Sequence, residues 1–343
     1  MKNLIFICCI IIILFKTGNV LSDNKLFNVN NIEISKKNIK NKEKLANQAF
    51  LKGFNELINR LLLEGDYKKI STTNLAQIKK LISYYQVKTN ENNNKVSFNI
   101  YFDRERIHNF FYQNNILYSD IINTNMVIFP LLIKDKQYFI YTKNYFYENW
   151  NIEKSEDLIK YSLPVESVES IQTIKSYQDS IYKIDIEDFF KEYDINNMAF
   201  VTIDIDKNIA KVFLNTKIEG KKLNKNLIIN KINTNQDEFN NKVIFEIKNE
   251  IKDLIKSQNL IDVRTPSFLN AEIKLDKKNN LVEFNNRLKK IDLIDNYYVQ
   301  QLNKDYVLVK IKYLGKINKI IKKLKDQNID LNMKEGQWKI KII

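Results

Sequence analysis

Imidazole chemistry has one candidate in this 343-residue chain, His108. It stands in RERIHNFF, between Ile107 and Asn109. A zinc site draws on several His or Cys ligands, and a histidine-based triad has only this one candidate base, with no signature around it. Neither is in place, and His108 reads as a surface or half-buried residue of a helix. Acidic residues cluster twice. IDIDKN (203–208) alternates carboxylates as a calcium loop does, but lacks the central glycine and the glutamate at the twelfth position; it reads as the wet face of a strand. DIEDFFKEYD places Asp185, Glu187, Asp188 and Glu192 on or beside a helix at three and four spacing, with no second helix carrying a matching set. None of the six glycines forms GxGxxG or a phosphate-binding loop. No catalytic, metal or cofactor-binding residue is therefore assigned, and no cofactor is expected. One aromatic cluster remains. Tyr138, Phe139, Tyr141, Tyr145, Phe146, Tyr147 and Trp150 crowd into one short stretch. On a loop they could stack on sugars or grip a partner; folded inward they would close a core. Tyr138, Tyr141, Tyr145, Tyr147 and Trp150 are the candidate binding surface.

The opening MKNLIFICCIIIILFKTGNVLSDNK sets the compartment. Lys2 precedes an apolar run from Leu4 to Phe15. At about 1.5 Å per residue this run spans roughly 18 Å, short of the roughly 30 Å hydrocarbon core. A basic start, a short apolar stretch and small residues near Ser22 make the layout of a cleaved secretion signal. The alternative is a retained N-terminal anchor in the inner membrane. Both cysteines, Cys8 and Cys9, lie inside the run, so cleavage would leave a thiol-free chain held by packing alone.

The rest is built to fold. The chain is 44% hydrophobic with 20 Phe and 18 Tyr, against 3 Pro and 6 Gly, which excludes collagen-like, linker-rich or disordered character. The net charge of +14 suits an anionic membrane surface or wall polymer. Its pattern argues against nucleic acid: most lysines are scattered or mixed with acids. The densest basic stretch, KINKIIKKLK, reads as the wet face of a helix over Ile317, Ile320, Ile321 and Leu324.

Periodicity gives the elements that must position any site. Leu45, Ala46, Ala49, Phe50, Phe54, Leu57, Ile58 and Leu61 recur at three and four spacing, a helix over 43–63. A polar gap, EGDYKKISTTN, leads to a second helix near 75–82. Val96, Phe98, Ile100 and Phe102 alternate with polar residues in a hairpin partner of YYQVKT, and Asp103 can cap the helix that follows. Pro130, inside NMVIFPLLI, predicts a strand edge or bulge. MAFVTIDI and IAKVFLNTKI read as a hairpin, and the order helix–strand–strand occurs twice after 280. The expected fold class is α+β with α/β parts, in several domains, each a small mixed or antiparallel sheet covered by helices. The expected divisions are a signal peptide (1–22), an N-terminal α+β domain (23–120), a middle α/β domain (121–218) and a C-terminal α+β domain (219–343) with an internal helix–strand–strand repeat.

Several of these motifs resemble a known family. They are the helix LANQAFLKGFNELINRLL, the segment VSFNIYFDRERIHNFF with its Phe102-Asp103 junction, the strand broken by Pro130, the closing Trp150, and SLPVESVES with MAFVTIDI. Over about residues 26–214 the chain is similar to the bacterial envelope proteins grouped as domain of unknown function 2066, in their divergent alphaproteobacterial form. The resemblance implies a periplasmic location and carries no activity or catalytic residues. The expected function is a non-enzymatic envelope protein, an adaptor or assembly module with a protein partner. The alternatives are a periplasmic binder of a small ligand or glycan through residues 138–150, and a hydrolase acting on wall polymers or lipids.

Overall fold

The computed structural model describes residues 25–36, 41–89, 94–121, 123–151, 158–275 and 280–343. The expected signal peptide and both cysteines lie outside these residues. Among the described residues, no helix is long and apolar enough to cross a membrane. The architecture is a multi-domain α+β one, with small mixed and antiparallel sheets flanked by helices. Two compact units form. One takes the chain up to Leu57, Thr73–Leu117 and Ile261–Ile343; the other takes Ile58–Thr72 and Tyr118–Leu260.

The chain begins with β1 (Asn28–Ser35), α1 (Lys42–Leu61), α2 (Glu64–Ile70), α3 (Leu75–Leu81), β2 (Ile82–Thr89), β3 (Lys95–Phe102) and α4 (Arg104–Gln113). The three strands make an antiparallel sheet ordered β1-β3-β2. Strand β3 is central, and its alternating Val96, Phe98, Ile100 and Phe102 are buried. Gly53 sits where α1 meets β3: a Cβ there would stand 2.6 Å from Ile100 Cδ1. That close approach explains a glycine that costs a helix interior about 1 kcal/mol. Asp103 caps α4 as expected, accepting from Arg106 N at 3.0 Å.

The segment EGDYKKI, expected as a polar gap, is the helix α2. Its first turn is satisfied from far along the chain: Asp253 Oδ2 accepts from Glu64 N at 3.1 Å. A cap supplied by tertiary contact leaves no local sequence signature.

The second unit carries β4 (Thr124–Lys134), β5 (Gln137–Phe139), α5 (Tyr145–Asn149), β6 (Ile159–Ser162), α6 (Val168–Ser176), α7 (Ile186–Phe189), β7 (Met198–Asp206), β8 (Ile209–Ile218), β9 (Lys221–Asn230) and α8 (Gln236–Ser257). Its sheet runs β9-β8-β7-β4-β5, with β6 also paired to β4. Strand β4 is parallel to β7 and β6, whereas β8 and β9 are antiparallel to their neighbours. Helices cover both faces. Val127, Phe129, Leu131 and Ile133 of β4 pack with Ile174, Ile186 and Phe190 on one side. Met126, Ile128 and Leu132 pack with Phe239, Val243, Ile247, Ile251 and Ile255 of α8 on the other. Each fully buried side chain of this kind contributes about 1.5–3 kcal/mol of apolar transfer.

Pro130 falls on the flank of β4 between its pairings with β6, at 124–127, and β5, at 132–134. Its carbonyl on that flank accepts from Asn144 Nδ2 at 2.7 Å, so the missing N–H leaves no ladder bond broken. The tight β4–β5 turn places Asp135 and Lys136 both at positive φ, 50° and 62°, the pattern of a type I′ hairpin. The segment ESVESIQTIKS holds α6, capped by Ser167 Oγ accepting from Ser170 N at 3.1 Å. The sequence division at 218 falls within a hairpin. Strand β9 pairs with β8 along its whole length, and α8 packs on the same sheet, so residues 219–257 belong with the middle sheet.

Beyond them come β10 (Ser267–Lys274), α9 (Asn280–Leu288), β11 (Ile294–Leu302), β12 (Tyr306–Tyr313), α10 (Ile317–Asp326), β13 (Ile329–Lys334) and β14 (Gln337–Ile342). Each of α9 and α10 is followed by an antiparallel hairpin. The two hairpins flank β10 in the order β11-β12-β10-β14-β13. Arg104 ties α4 to this part of its unit, donating to Ile291 O at 3.4 Å and Ile294 O at 3.2 Å.

Candidate functional site

The second unit contains a cleft of about 590 Å³, within the roughly 300–1,000 Å³ range of ligand pockets. Its walls come from Asn149 and Trp150 after α5, from Leu158, Ile159 and Tyr161 at β6, from Asn59, and from one stripe of α8. Helix α8 explains the stripe. A capping box starts it, with Asn235 and Glu238 satisfying each other's backbone N–H groups. Phe239, Val243, Ile247, Ile251 and Ile255 then follow at three and four spacing and bury one face in the sheet. The neighbouring stripe, Asn241, Phe245, Lys248 and Lys252, is left to line the cleft.

The polar lining consists of amides and amines. Lys242, Lys248 and Lys252 stand with Asn59, Asn149, Asn241 and Asn249, and no carboxylate occurs among the described lining residues. Tyr145 Oη donates to Asn241 Oδ1 at 3.1 Å, and Lys252 Nζ donates to Asn249 Oδ1 at 3.3 Å. Both contacts occupy the amide oxygens and leave the Nδ2 donors for other acceptors. Trp150 is fully buried, and its indole Nε1 has no hydrogen-bond partner in the protein. A buried donor left alone costs about 1–3 kcal/mol. The Trp150 and Tyr161 rings meet edge to face at 5.8 Å. Lys248 Nζ lies over both, 5.9 Å from the first centroid and 5.6 Å from the second, inside cation–π range.

Behind the cleft, α8 is locked to the α1–α2 junction. Lys256 is buried, and its Nζ donates to Asn59 O at 2.7 Å and Leu62 O at 2.5 Å. Burial pushes this amine down to about 8, although Asp253, 3.9 Å away, acts in the other direction. Desolvation raises the Asp253 carboxyl above its ordinary value.

The five aromatic residues singled out in the sequence do not form one surface. Between β5 and α5 the chain rounds the sheet, so near neighbours in sequence end on opposite faces. Tyr138, Tyr141 and Tyr147 pack with the Phe129 face; Tyr145 and Trp150 pack with the α8 face. Tyr141 is buried edge-on against Phe129, and its hydroxyl accepts from Ser167 N at 3.2 Å. Tyr138 and Tyr147 donate to the carbonyls of Gln178, at 2.7 Å, and Pro164, at 2.6 Å. Burial is the main cause that raises the phenols of Tyr138, Tyr145 and Tyr147. Tyr145 and Trp150 serve the cleft, one through Asn241 and one as its wall. The missed residues are those of α8, and their signal was a second helical stripe of Asn, Phe and Lys beside the apolar one.

The remaining sequence candidates are dispersed. His108 is half-buried on α4, edge-on to Phe27 at 5.5 Å, and burial pushes its imidazole down to about 4. Glu187 is paired with Lys217 and Lys222 at 3.2 Å each, which holds its carboxyl below the usual range. Asp204 and Asp206 lie at the end of β7. Among the described residues, no group of three or more His, Cys, Asp or Glu could hold a metal ion. Comparison with protein-family models, curated proteins and solved structures finds no match to this chain.

Proposed function

We propose that this protein is a binding protein that takes a small ligand in the α8 cleft of its second unit. The observation that carries the proposal is the ligand-sized cleft itself, walled by Trp150 and Tyr161 and lined by the amines and amides of one α8 stripe. The lining supports binding over acid–base work: amines and amides surround the cleft, with no carboxylate or imidazole among the described residues there. The short apolar leader supports export to the periplasm, and an envelope location belongs to this proposal.

An adaptor role would call for an open sheet edge or a broad apolar patch. The edge strand β11 does expose Tyr298, Val299 and Leu302. Two register shifts interrupt it, between Ile294 and Asn296 and between Val299 and Gln301. Such bulges are a device that blunts edge pairing, which favours the cleft.

Native mass spectrometry of the purified chain, mixed with the small-molecule fraction of a bacterial extract, tests this. The wild type should carry an adduct that Asn241→Trp, which fills the cleft mouth from an exposed helix position, loses while keeping its melting temperature. An adduct retained by that variant, or no adduct in either protein, overturns the proposal.

A further inference from the structure

Charge is spread unevenly along this chain. From Ile261 onward it holds eighteen Lys and Arg against ten Asp and Glu, which is +8 of the total +14. The densest part lies on the helices that cover the sheet of β10–β14. Helix α10 carries Lys319, Lys322, Lys323 and Lys325, with Asp326 as its one acid. Exposed Lys289 and Lys290 follow α9 directly. The C-terminal ends of the two helices are tied together. Arg287 Nη1 of α9 donates to Gln327 O at 3.2 Å and Asn328 O at 2.7 Å, just past α10, while its Nη2 pairs with Glu283. Lys289 and Lys290 therefore belong to the same end of the layer as Lys323 and Lys325.

This charge does little for the fold. A helix dipole accounts for a cation or two in a last turn, not for cations gathered at two helix ends. Lys322 and Lys325 stand three apart, a spacing at which like charges weaken a helix. The first turn of α10 holds no acid, whereas α8 opens on Asp237, Glu238 and a capping box. Lys316 and Lys319 are engaged within the protein. Among the described residues, Lys289, Lys290, Lys322, Lys323 and Lys325 form no ion pair.

The chemistry of the layer selects its occupant. Ile320 and Leu324 of α10 are fully buried, so its apolar side is spent on the core and is not on offer to hydrocarbon. Single-stranded nucleic acid is held by rings that stack on its bases between the cations. Helix α10 has no aromatic residue, and Phe284 of α9 is buried. What remains is an array of ammonium groups, complementary to a surface of closely spaced anions. We infer that this helical layer adsorbs the protein on a bilayer of anionic phospholipid through Lys289, Lys290, Lys322, Lys323 and Lys325. Clusters of about four to eight cations on a helix attract anionic lipid in this way. The contact is peripheral and reversible. It is a second activity, carried by the first unit, and does not rest on the α8 cleft.

The test is co-sedimentation of the full chain with vesicles of phosphatidylcholine alone and of phosphatidylcholine mixed with phosphatidylglycerol. The protein should bind the anionic vesicles and not the neutral ones, and binding should fall steeply as salt rises. A lysine near such a surface is worth about fivefold in affinity, so Lys322→Gln, Lys323→Gln and Lys325→Gln together should lose on the order of 100-fold. The same three changed to Arg should keep the affinity. A control with Lys175→Gln, Lys183→Gln and Lys211→Gln, exposed lysines of the second unit, has the same net charge and should keep it too. All three variants should keep the wild-type melting temperature. Equal binding to neutral vesicles would assign the contact to the apolar leader and overturn the inference. So would no binding to either vesicle, full binding by the α10 glutamine variant, or an equal loss in the control. Tighter binding to a DNA oligonucleotide than to the anionic vesicles would give the face to nucleic acid instead.

Discussion

Replacing Lys256 with methionine removes the ammonium that anchors α8 while keeping the length and apolar stem of the side chain. The wild-type amine donates to two backbone carbonyls, Asn59 O and Leu62 O, and the variant leaves both without that donor. Each buried acceptor so stranded costs about 1–3 kcal/mol. The variant also escapes the burial of a charge, and a folded-state value of about 8 against an ordinary 10.5 sets that relief at about 3 kcal/mol. The two effects largely cancel at neutral pH, leaving Lys256→Met destabilised by about 1–2 kcal/mol. The pH dependence is sharper. Because the folded-state value is depressed, the folded protein binds fewer protons than the unfolded chain between pH 8 and 10.5. Wild-type stability therefore gains from this group as pH rises through that window, and the methionine variant has no such gain. Between pH 7 and pH 9.5 the wild-type advantage should grow by about 2 kcal/mol. Urea unfolding followed by Trp150 emission, in the Trp338→Phe background, measures it at both pH values. All titrating groups but Lys256 are common to the two proteins. An advantage that stays constant between the two pH values would refute the reasoning that Lys256 is a desolvated, charged anchor.

Three further outcomes are expected. Gly53→Ala should cost up to about 2 kcal/mol, overpacking outweighing the helix-propensity gain; adding Ile100→Val, which deletes the clashing Cδ1, should recover part of it, seen as non-additive melting shifts. Asn144→Ala should destabilise the second unit by about 2–4 kcal/mol in urea unfolding, because this buried side chain serves both Pro130 O and Phe146 N, at 2.7 Å and 3.0 Å. His108, held down to about 4, makes stability fall as pH drops from 6.5 through 4, because the unfolded chain takes the proton first. The loss should reach at most about 3 kcal/mol and less for its half-exposed ring, and it should vanish in His108→Gln when unfolding midpoints are compared across that range.

Much of the fold was legible because its cores follow simple periods. The alternation in VSFNIYF and the three-and-four spacing in α1 and α8 each expose one apolar face, and the structure buries those faces. What escaped was set by distant partners. Helix α2 takes its cap from Asp253, and a sequence of mixed lysines and acids gave no hint of it. Residues 219–230 read as the start of a new domain because the ladder joining β9 to β8 is visible only once the hairpin at Glu219 and Gly220 is formed. The aromatic stretch misled for a geometric reason. Proximity along the chain says nothing about side when the segment turns around a sheet, so Tyr141 and Trp150 end on opposite faces. Lys248 carried a faint signal, its four-three-four spacing with Asn241, Phe245 and Lys252, but the stripe gains meaning only when Trp150 and Tyr161 stand opposite it.

The α8 cleft is the feature on which the functional proposal turns, and Trp150 in its wall reports on it directly. In the Trp338→Phe chain labelled with ¹⁵N, a single indole resonance remains. On addition of the bacterial small-molecule fraction that yields the adduct, that resonance should shift, because a ligand in the cleft lies against the Trp150 wall. An indole resonance that stays in place while the adduct forms would mean that the ligand sits elsewhere, and the α8 cleft would lose its claim to be the site.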